Sequence, residues 1–276
     1  MSVIEKFSLK DSLAIVTGGA GLLGKQHVEA LIEAGADVII FDINENALEE
    51  TKKYFLKKYN TDVLSLKVDI TNEDEILKAK EKIFKHFSKF PNILINNAAI
   101  DPKFEKNSAV NKSRLENFDA RQWNLEISVG LTGAMLCSKI FGAEMAKNKR
   151  GIILNIASDL GVIAPDQRLY KQDGLKDEEQ NVKPVTYSVI KHGLIGLTKY
   201  IATYWADKGV RCNAFAPGGV FNNHSDEFVN KIAQLIPMKR MANLDEYKAS
   251  VVFLCSDASS YMNGATLNMD GGRSVW

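Results

Sequence analysis

Residues 12–24, with the sequence SLAIVTGGAGLLG, constrain the fold of this chain more than any other segment. A short apolar run ends in a turn that is dense in glycine, and a helical pattern follows at once. Glycine permits a tight turn and a close approach of the backbone, while the start of a helix offers free N–H groups and a positive dipole end to an anion. The segment therefore predicts a strand–turn–helix unit that binds the pyrophosphate of a dinucleotide.

The next apolar run, residues 37–42, ends in an acid, Asp42. A carboxylate at this position accepts hydrogen bonds from a ribose 2′-hydroxyl and repels a 2′-phosphate. We therefore expect Asp42 to favour NAD over NADP.

Two other interpretations of the glycine-rich turn stay open at this point. Many strand-to-helix turns contain glycine only for its backbone freedom. Residues 19–26, GAGLLGKQ, also approach the phosphate loop of nucleoside triphosphatases, but Gln26 stands where a hydroxyl would hold magnesium. An amide serves poorly there, so the triphosphatase interpretation is the weaker one.

Length and composition limit the class of protein. A chain of 276 residues with 45% hydrophobic residues suits one large α/β domain, and a net charge of +1 does not indicate a nucleic-acid or membrane partner. No apolar run approaches the roughly 20 residues of a membrane span. The three cysteines are far apart and form no C-x-x-C pair, which argues against a zinc site and fits the reducing cytoplasm.

Strand-like runs alternate with helical patterns along the whole chain. The runs are 12–17, 37–42, 63–68, 92–96, 151–157, 210–216 and 265–269, and the amphipathic stretches are 22–34, 45–59, 73–89, 118–147, 185–208 and 244–256. This alternation predicts a doubly wound parallel α/β sheet of the Rossmann type, with helices on both faces, in a single domain over 1–276. Ligands bind such sheets beyond the carboxyl ends of the strands.

Two segments break the alternation. Residues 159–184 are highly charged and predict a solvated insertion loop with a short helix, and residues 218–243 contain an amphipathic piece near 226–236. A long loop in a compact domain is often a lid or a binding loop, so we interpret 218–243 as a substrate loop. A surface insertion without function is the alternative for both segments.

Tyr187 and Lys191 are four residues apart in a helical stretch and therefore lie on one face. A phenol ordinarily loses its proton near pH 10, but a nearby ammonium favours the phenolate. This pair can take a proton from an alcohol while a hydride leaves for NAD. The same spacing occurs at Tyr54 and Lys58, where the neighbouring lysines indicate a solvated surface instead.

Other polar residues follow the predicted strands. Ser158 closes the fifth run and can hydrogen-bond a substrate oxygen, although it can also be a simple turn residue. Residues 96–99, NNAA, end the fourth run, where small side chains let the backbone pass close to a cofactor. Asp69 ends the third run and can bond the adenine or cap the following helix.

Together these residues resemble the short-chain dehydrogenase/reductase family. The resemblance covers residues 10–274. T-G-x-x-x-G-x-G is approximated at 17–24 and N-N-A-G at 96–99, the family's P-G falls at Pro217 and Gly218, and its closing D-G-G falls at 270–272. The catalytic Ser, Tyr and Lys of the family correspond to Ser158, Tyr187 and Lys191.

The resemblance implies an oxidoreductase that binds NAD, or less readily NADP, and interconverts a secondary alcohol and a ketone, usually as a homotetramer or dimer. In this family the tyrosine is the acid/base, the serine positions the substrate, and the lysine also binds the nicotinamide ribose. On this basis we assign the cofactor contacts to Thr17, Gly18, Gly21, Leu23, Gly24, Asp42, Asp69, Ile70, Asn97, Ala98, Tyr187, Lys191, Pro217, Gly218 and Val220.

Three departures from the family pattern matter. Gly21 carries the middle glycine, and Leu22 stands at its usual place. The family's fourth catalytic residue, an asparagine that orients a relay water, is replaced by Gly130, which puts the relay in doubt. The gap between Ser158 and Tyr187 is 28 residues, about twice that of the family, and the surplus should overhang the substrate site.

Residues 161–170 also resemble a subgroup associated with flagellin modification and sialic-acid-like sugars, which implies a polar or phosphorylated sugar substrate. Four cations could meet a phosphate or carboxylate there, or could be plain surface charge: Arg168, Lys171, Lys239 and Arg240. The last residues, 273–276, are interpreted as a tail at a subunit interface or as an exposed end. Because the relay asparagine is missing, a non-catalytic nucleotide-binding or regulatory protein is the alternative function.

Overall fold

The computed structural model describes residues 2–100 and 111–276. Its strands are β1 Leu13–Thr17, β2 Asp37–Asp42, β3 Leu64–Lys67, β4 Ile93–Asn96, β5 Gly151–Ile156, β6 Val210–Pro217 and β7 Thr266–Met269. Its α-helices are α1 Leu22–Glu33, α2 Glu45–Tyr59, α3 Glu73–Phe87, α4 Ala120–Ile127, α5 Gly133–Lys147, α6 Val185–Tyr204, α7 Asp226–Gln234 and α8 Lys248–Leu254.

The described strands form one parallel sheet in the order β3-β2-β1-β4-β5-β6-β7. Chain order reverses between β1 and β4, and a crevice at such a switch point is where doubly wound sheets bind ligands. The predicted doubly wound parallel sheet is confirmed.

Strand β1 lies inside the sheet, between β2 and β4, and is buried along its whole length. Its side chains alternate between two apolar clusters. Ala14 and Val16 pack with Val28 of α1, whereas Leu13 and Ile15 belong to the cluster on the opposite face. Burial on both faces explains why this strand reads as a continuous apolar run in the sequence.

Helix ends follow local capping chemistry. The side chain of Asn44 accepts a hydrogen bond from the Ala47 N–H at 3.1 Å and begins α2 at the predicted residue. Helix α3 stops at Phe87, two residues before its predicted end, because Ser88 adopts a left-handed conformation with φ 54°. A residue in that conformation ends a helix.

The stretch predicted as one helix over 118–147 is divided into three parts. A π-helical turn, Ser128–Thr132, separates α4 from α5. The region Ala120–Lys147 is long and apolar enough to cross a membrane by length and composition alone, but half of the tested window is buried inside the protein. Such burial is typical of a helix that packs on a protein core.

The two irregular segments are more ordered than the sequence predicts. Residues 159–184 contain three short 3₁₀ helices, at Asp159–Gly161, Gln167–Tyr170 and Asp177–Glu179. Leu169 is buried against Ile232 of α7 and against Ile236, which follows that helix. The prediction of a solvated loop is therefore wrong for this part of the segment. Helix α7 lies where the amphipathic piece of 218–243 was expected.

The second tyrosine–lysine pair, Tyr54 and Lys58, binds the carboxylate of Glu29 on α1. Tyr54 is 46% exposed, as expected for a surface site. However, its hydroxyl donates to Glu29 Oε1 at 3.0 Å, and Lys58 Nζ bonds the same oxygen at 2.6 Å. The buried carboxylate of Glu29 also accepts from Tyr59 and Lys248, and thereby joins α1, α2 and α8.

Candidate active site

The glycine-rich turn after β1 is a close contact between two backbone segments. Gly18 has φ 61°, and a Cβ atom on it would lie 2.8 Å from Ala98 Cα. A Cβ atom on Gly24 would collide with the Gly18 carbonyl oxygen. Gly21 precedes α1 in an extended conformation without a side-chain cap. The turn therefore requires glycine at Gly18 and Gly24 and leaves the start of α1 open to an anion.

Thr17 and Asn97 hold this turn against the end of β4. The Thr17 hydroxyl oxygen accepts hydrogen bonds from the N–H groups of Asn97 and Ala98 at 3.0 and 3.1 Å. In return, Asn97 Nδ2 donates to the carbonyls of Thr17 and Gly18 at 2.9 and 3.1 Å. The structure thus brings four predicted cofactor residues together, and the Asn97 amide is engaged in holding the turn.

Asp42 lies at the carboxyl end of β2, next to the glycine-rich turn. Its Oδ2 accepts from the Ala20 N–H at 3.2 Å, and its Oδ1 accepts from the Asn44 N–H at 3.0 Å. These bonds fix the carboxylate beside the turn while the side chain stays partly exposed.

Asp69 follows β3 and forms a local turn. Its Oδ1 accepts from both the backbone N–H and the hydroxyl of Thr71, at 2.9 and 2.7 Å. The cap of α3 is Asn72, so the suggestion that Asp69 caps this helix is wrong. The neighbouring Ile70 is buried and packs closely on Gly133 of α5.

Tyr187 and Lys191 lie on α6 at the carboxyl edge of the sheet. Lys191 is buried, and its Nζ donates to the Ile156 carbonyl at the end of β5, at 2.8 Å. The same Nζ lies 5.6 Å from the centroid of the Tyr187 ring. Lys183, from the insertion loop, places a second ammonium 3.8 Å from that centroid. Two cations therefore face one tyrosine ring.

Ser158 follows β5 and is buried near the start of α6. Its hydroxyl donates to Asp159 Oδ1 at 2.7 Å and accepts from the Leu160 N–H at 3.2 Å. This turn packs directly on α6, because a Cβ atom on Gly161 would lie 2.8 Å from the Lys191 carbonyl oxygen. The turn of Ser158 and the backbone of Lys191 are thus in contact.

The end of β6 supplies the other predicted cofactor residues. Pro217 is its last residue, and the Gly218 carbonyl accepts from the Tyr247 hydroxyl at 3.0 Å. Val220 pairs with Ala242 in an isolated bridge. Burial raises the pKa of Tyr247 well above its ordinary value, so this hydroxyl stays protonated as a donor. Sequence reasoning missed Tyr247, which lies almost 30 residues along the chain from Gly218.

Gly130, at the position of the missing relay asparagine, is covered by Ile190. A Cβ atom on Gly130 would lie 2.7 Å from Ile190 Cγ2. One helical turn earlier on α4, the buried carboxylate of Glu126 accepts a short hydrogen bond from the Thr186 hydroxyl. The bond between Glu126 and Thr186 holds α4 against α6. Ile190 fills the space beside the π-helical turn and leaves no room for an asparagine side chain at 130.

Gly130→Asn is therefore expected to destabilise the protein by about 1–3 kcal/mol without raising kcat, since an extra side chain in a packed site forces its neighbours to shift. Thermal unfolding and steady-state kinetics measure both effects. The double variant Gly130→Asn/Ile190→Ala should lose less stability than the sum of the two single variants, because the second substitution removes the collision. A single variant with a higher kcat and unchanged stability would argue for a working relay site.

The four cations proposed for a substrate anion are each engaged locally. Arg168 pairs with Asp166 at 2.6 Å, and Arg240 pairs with Glu246 at 2.5 Å. Lys171 lies 3.5 Å from Asp177, and Lys239 lies over the Trp276 ring. These contacts favour the surface-charge alternative.

Besides Tyr247, sequence reasoning missed three residues near the candidate site. Lys183 is one of three lysines in a highly charged loop, so nothing in the pattern distinguishes it. Asp159 directly follows Ser158, and that adjacency was a usable signal. Arg273 donates to Asp159 Oδ2 at 2.8 Å from a position 114 residues away, which no local pattern reveals.

Among residues 2–100 and 111–276, no group of three or more His, Cys, Asp or Glu side chains is arranged to hold a metal ion. The three cysteines are buried, and burial raises the pKa of each thiol to about 12. They are therefore small apolar residues of the core.

Comparison with known proteins identifies the family. Residues 12–170 match the short chain dehydrogenase family, and residues 175–274 match the enoyl-(acyl carrier protein) reductase family. The 2-dehydro-3-deoxy-D-gluconate 5-dehydrogenase of Bacillus subtilis is 30% identical over 278 residues, with 97% of this chain and 96% of that protein covered. The post-translational flagellin modification protein A of Campylobacter coli is 26% identical over 264 residues, with 96% and 98% covered.

A solved structure shows the same fold with a cofactor. The short chain dehydrogenase of Leptospira borgpetersenii with bound NAD+ superposes with a TM-score of 0.82 at 31% identity, over 98% of this chain and 96% of that one. Other structures of this fold hold NADP.

The chain belongs to the short-chain dehydrogenase/reductase family. It is thus a nicotinamide-dependent oxidoreductase that acts on CH–OH groups and on the corresponding carbonyls. Residues 19–26 are therefore not the phosphate loop of a nucleoside triphosphatase. Family membership also argues against a glycine-rich turn that binds no ligand.

Proposed function

We propose that this protein is an NAD(H)-dependent dehydrogenase/reductase that interconverts a secondary alcohol and a ketone on a polar, sugar-derived substrate. One observation carries the proposal: Tyr187, faced by the ammonium groups of Lys183 and Lys191, lies at the carboxyl edge of the sheet that also bears the glycine-rich turn.

The geometry supports a division of roles among three residues. Tyr187 exchanges a proton with the substrate oxygen, and two ammonium groups lie near its ring. Lys191 is held in place by its bond to the Ile156 carbonyl, so its charge stays beside the phenol. The Ser158 hydroxyl, which donates to Asp159 in this structure, would turn to donate to the reacting oxygen from the turn after β5.

The residues around the crevice fit a dinucleotide. The glycine-rich turn passes close to Ala98 and leaves the start of α1 uncapped, which suits a pyrophosphate. Lys191 would also hold the nicotinamide ribose, and residues 217–220 would border the ring. When bound, the nicotinamide accepts a hydride from the alcohol carbon or returns it to the ketone.

Asp42 supports the preference for NAD. Its fixed carboxylate beside the Ala20 N–H can accept from a ribose 2′-hydroxyl and would repel a 2′-phosphate. We expect Asp42→Ala to lower the ratio of kcat/KM for NADH over NADPH by at least about tenfold, which corresponds to ~1.4 kcal/mol. Kinetics with both cofactors measure this ratio, and a ratio equal to that of the parent enzyme would remove Asp42 from cofactor selection.

The sugar-derived substrate is supported by the relatives and by the insertion loop. The Bacillus subtilis relative is named for a sugar acid, and the Campylobacter coli relative is named for flagellin modification. The insertion loop brings Lys183 to the Tyr187 ring, so a cation stands beside the proposed reacting group.

A panel of carbonyl compounds tests this function. We expect NADH oxidation with ketoses and keto sugar acids, and little with steroid ketones or β-ketoacyl thioesters. Turnover of the steroid ketones or β-ketoacyl thioesters alone would overturn the proposal of a sugar-derived substrate. Binding of NADH without turnover of any compound would favour the non-catalytic alternative.

We also propose a homo-oligomer. Large apolar side chains are exposed on three consecutive helices of the described chain: Leu125 on α4, Met135 on α5, and Tyr200 and Tyr204 on α6. Exposed apolar groups that cluster on one region mark protein interfaces. Light scattering of the purified protein measures its mass, and a monomer at micromolar concentration would contradict the proposal.

A further inference from the structure

Three buried polar side chains form a continuous hydrogen-bonded series at the end of β5. The Ser158 hydroxyl donates to Asp159 Oδ1 at 2.7 Å, and Arg273 donates to Asp159 Oδ2 at 2.8 Å. Ser158 is 5% exposed, Asp159 is 3% exposed and Arg273 is 7% exposed. The series ends at the hydroxyl that the proposed function places against the reacting oxygen.

The Asp159 carboxylate is fully bonded in this arrangement. Besides Ser158 and Arg273, it accepts from the Leu160 N–H at 2.8 Å. A buried carboxylate is costly unless it is paired, and Arg273 supplies the compensating charge. The group of three is therefore neutral as a whole.

Arg273 is held by a structured C-terminal turn. Asp270 Oδ1 accepts from the Gly272 N–H and Oδ2 accepts from the Ser274 N–H, both at 2.9 Å. Trp276 Nε1 donates to the Leu235 carbonyl at 3.1 Å and anchors the end of the chain near α7. The folded segment 270–276 thus places Arg273 next to Asp159 and, through it, close to Ser158.

We propose that Arg273 is a positioning residue for the reaction, acting through Asp159 on Ser158; this inference rests on the proposed function. In ketone reduction, the substrate oxygen carries developing negative charge until Tyr187 gives it a proton. When the Ser158 hydroxyl turns to donate to this oxygen, Arg273 still compensates the charge of the Asp159 carboxylate, so the oxygen does not face an uncompensated buried negative charge. Since this charge develops only during the reaction, the loss of Arg273 should act on kcat more than on KM.

A double-mutant cycle tests the proposal on a ketone that the parent enzyme reduces. We expect Arg273→Met to lower kcat by about 10- to 100-fold with a smaller change in KM, which corresponds to ~1.4–2.7 kcal/mol. Asp159→Asn/Arg273→Met contains neither buried charge, so its kcat should lie within a few-fold of that of Asp159→Asn alone. Arg273→Lys keeps the positive charge and should retain most of the activity.

Two controls separate this effect from loss of folding. The exposed Arg121, which pairs with Asp119, offers a matched substitution, and Arg121→Met should keep the parent kcat. Circular dichroism and NADH binding by fluorescence should match the parent in every variant. Should Arg273→Met not fold, Arg273→Lys and Arg273→Gln complete the comparison, because only the lysine retains the compensating charge.

The outcomes distinguish this proposal from the proposed function. Arg273→Met could lower kcat by the same factor in the parent enzyme and in the Asp159→Asn variant. That result would show that the two residues are not coupled and would overturn the inference. A parent-like kcat in Arg273→Met, or equal kcat values in Arg273→Lys and Arg273→Gln, would also overturn the inference. A parent enzyme that reduces no ketone would instead contradict the proposed function.

Discussion

Tyr187→Phe is expected to lower kcat for ketone reduction by about 10²–10⁴-fold or more, the usual contribution of a positioned acid or base. The substitution removes only the hydroxyl that exchanges a proton with the substrate oxygen. The ring still lies below the ammonium group of Lys183, and Lys191 still bonds the Ile156 carbonyl. NADH binding should therefore change by no more than a few-fold. Steady-state kinetics and fluorescence titration with NADH measure the two effects.

The chain contains a matched control for this experiment. Tyr54 has a lysine four residues later, as Tyr187 has, but its hydroxyl bonds Glu29 of α1. Tyr54→Phe should keep the parent kcat. Parent-like turnover in Tyr187→Phe, with a loss in Tyr54→Phe, would reverse the assignment of the two pairs.

Glu29→Gln is expected to lower the free energy of unfolding by about 3–5 kcal/mol at pH 7, as is typical when a buried ion pair loses one partner. Glu29 is buried and accepts from the ammonium groups of Lys58 and Lys248. The glutamine removes the nearer counter-ion of Lys248, whose side chain is only 20% exposed, and leaves Glu33 at 3.6 Å as its remaining partner. Urea unfolding monitored by tryptophan fluorescence measures the difference.

The pH dependence of stability tests the same site. Burial alone would raise the pKa of Glu29, but hydrogen bonds from Lys248, Lys58, Tyr59 and Tyr54 outweigh burial and lower it to about 2. A carboxyl group whose folded pKa lies below its unfolded value of 4.5 stabilises the fold above pH 4.5. This contribution is lost as the pH falls from 4.5 toward 2.

The stability gap between the parent protein and Glu29→Gln should therefore narrow steadily over that pH range. Unfolding curves at several pH values measure the gap. A gap of constant size down to pH 2 would show that charge at Glu29 does not stabilise the fold.

The sequence predicted the architecture well because its strands and caps are locally encoded. The strand β1 and the turn after it form one continuous pattern of apolar residues and glycine. Asn44 marks the start of α2 by its own side chain. Such features depend on neighbours in the chain, and single-sequence reasoning detects them.

The division of the long helix 118–147 was not predictable in the same way. The π-helical turn at Ser128–Thr132 lies where Gly130 packs under Ile190, and that contact joins residues 60 positions apart. The sequence did show that the relay asparagine is absent. It did not show that a side chain from α6 fills the space.

The residues proposed for catalysis follow from local spacing, whereas some of their polar neighbours do not. Tyr187 and Lys191 were identified because their spacing fixes them on one face of a helix. Arg273 was missed because its contact with Asp159 is made only once the C-terminal turn folds back, whereas the position of Asp159 next to Ser158 was a usable signal. The preference for NAD, the oligomer and a cytoplasmic location stay predictions.

The transfer of deuterium from nicotinamide-labelled NADH to a ketone tests the central claim most directly. If the Tyr187 site performs hydride transfer, mass spectrometry of the product alcohol should find one deuterium on the former carbonyl carbon. The Tyr187→Phe protein should bind the labelled cofactor and give almost no labelled alcohol. NADH consumption without label in the product, or equal labelling by the Tyr187→Phe protein, would contradict the account.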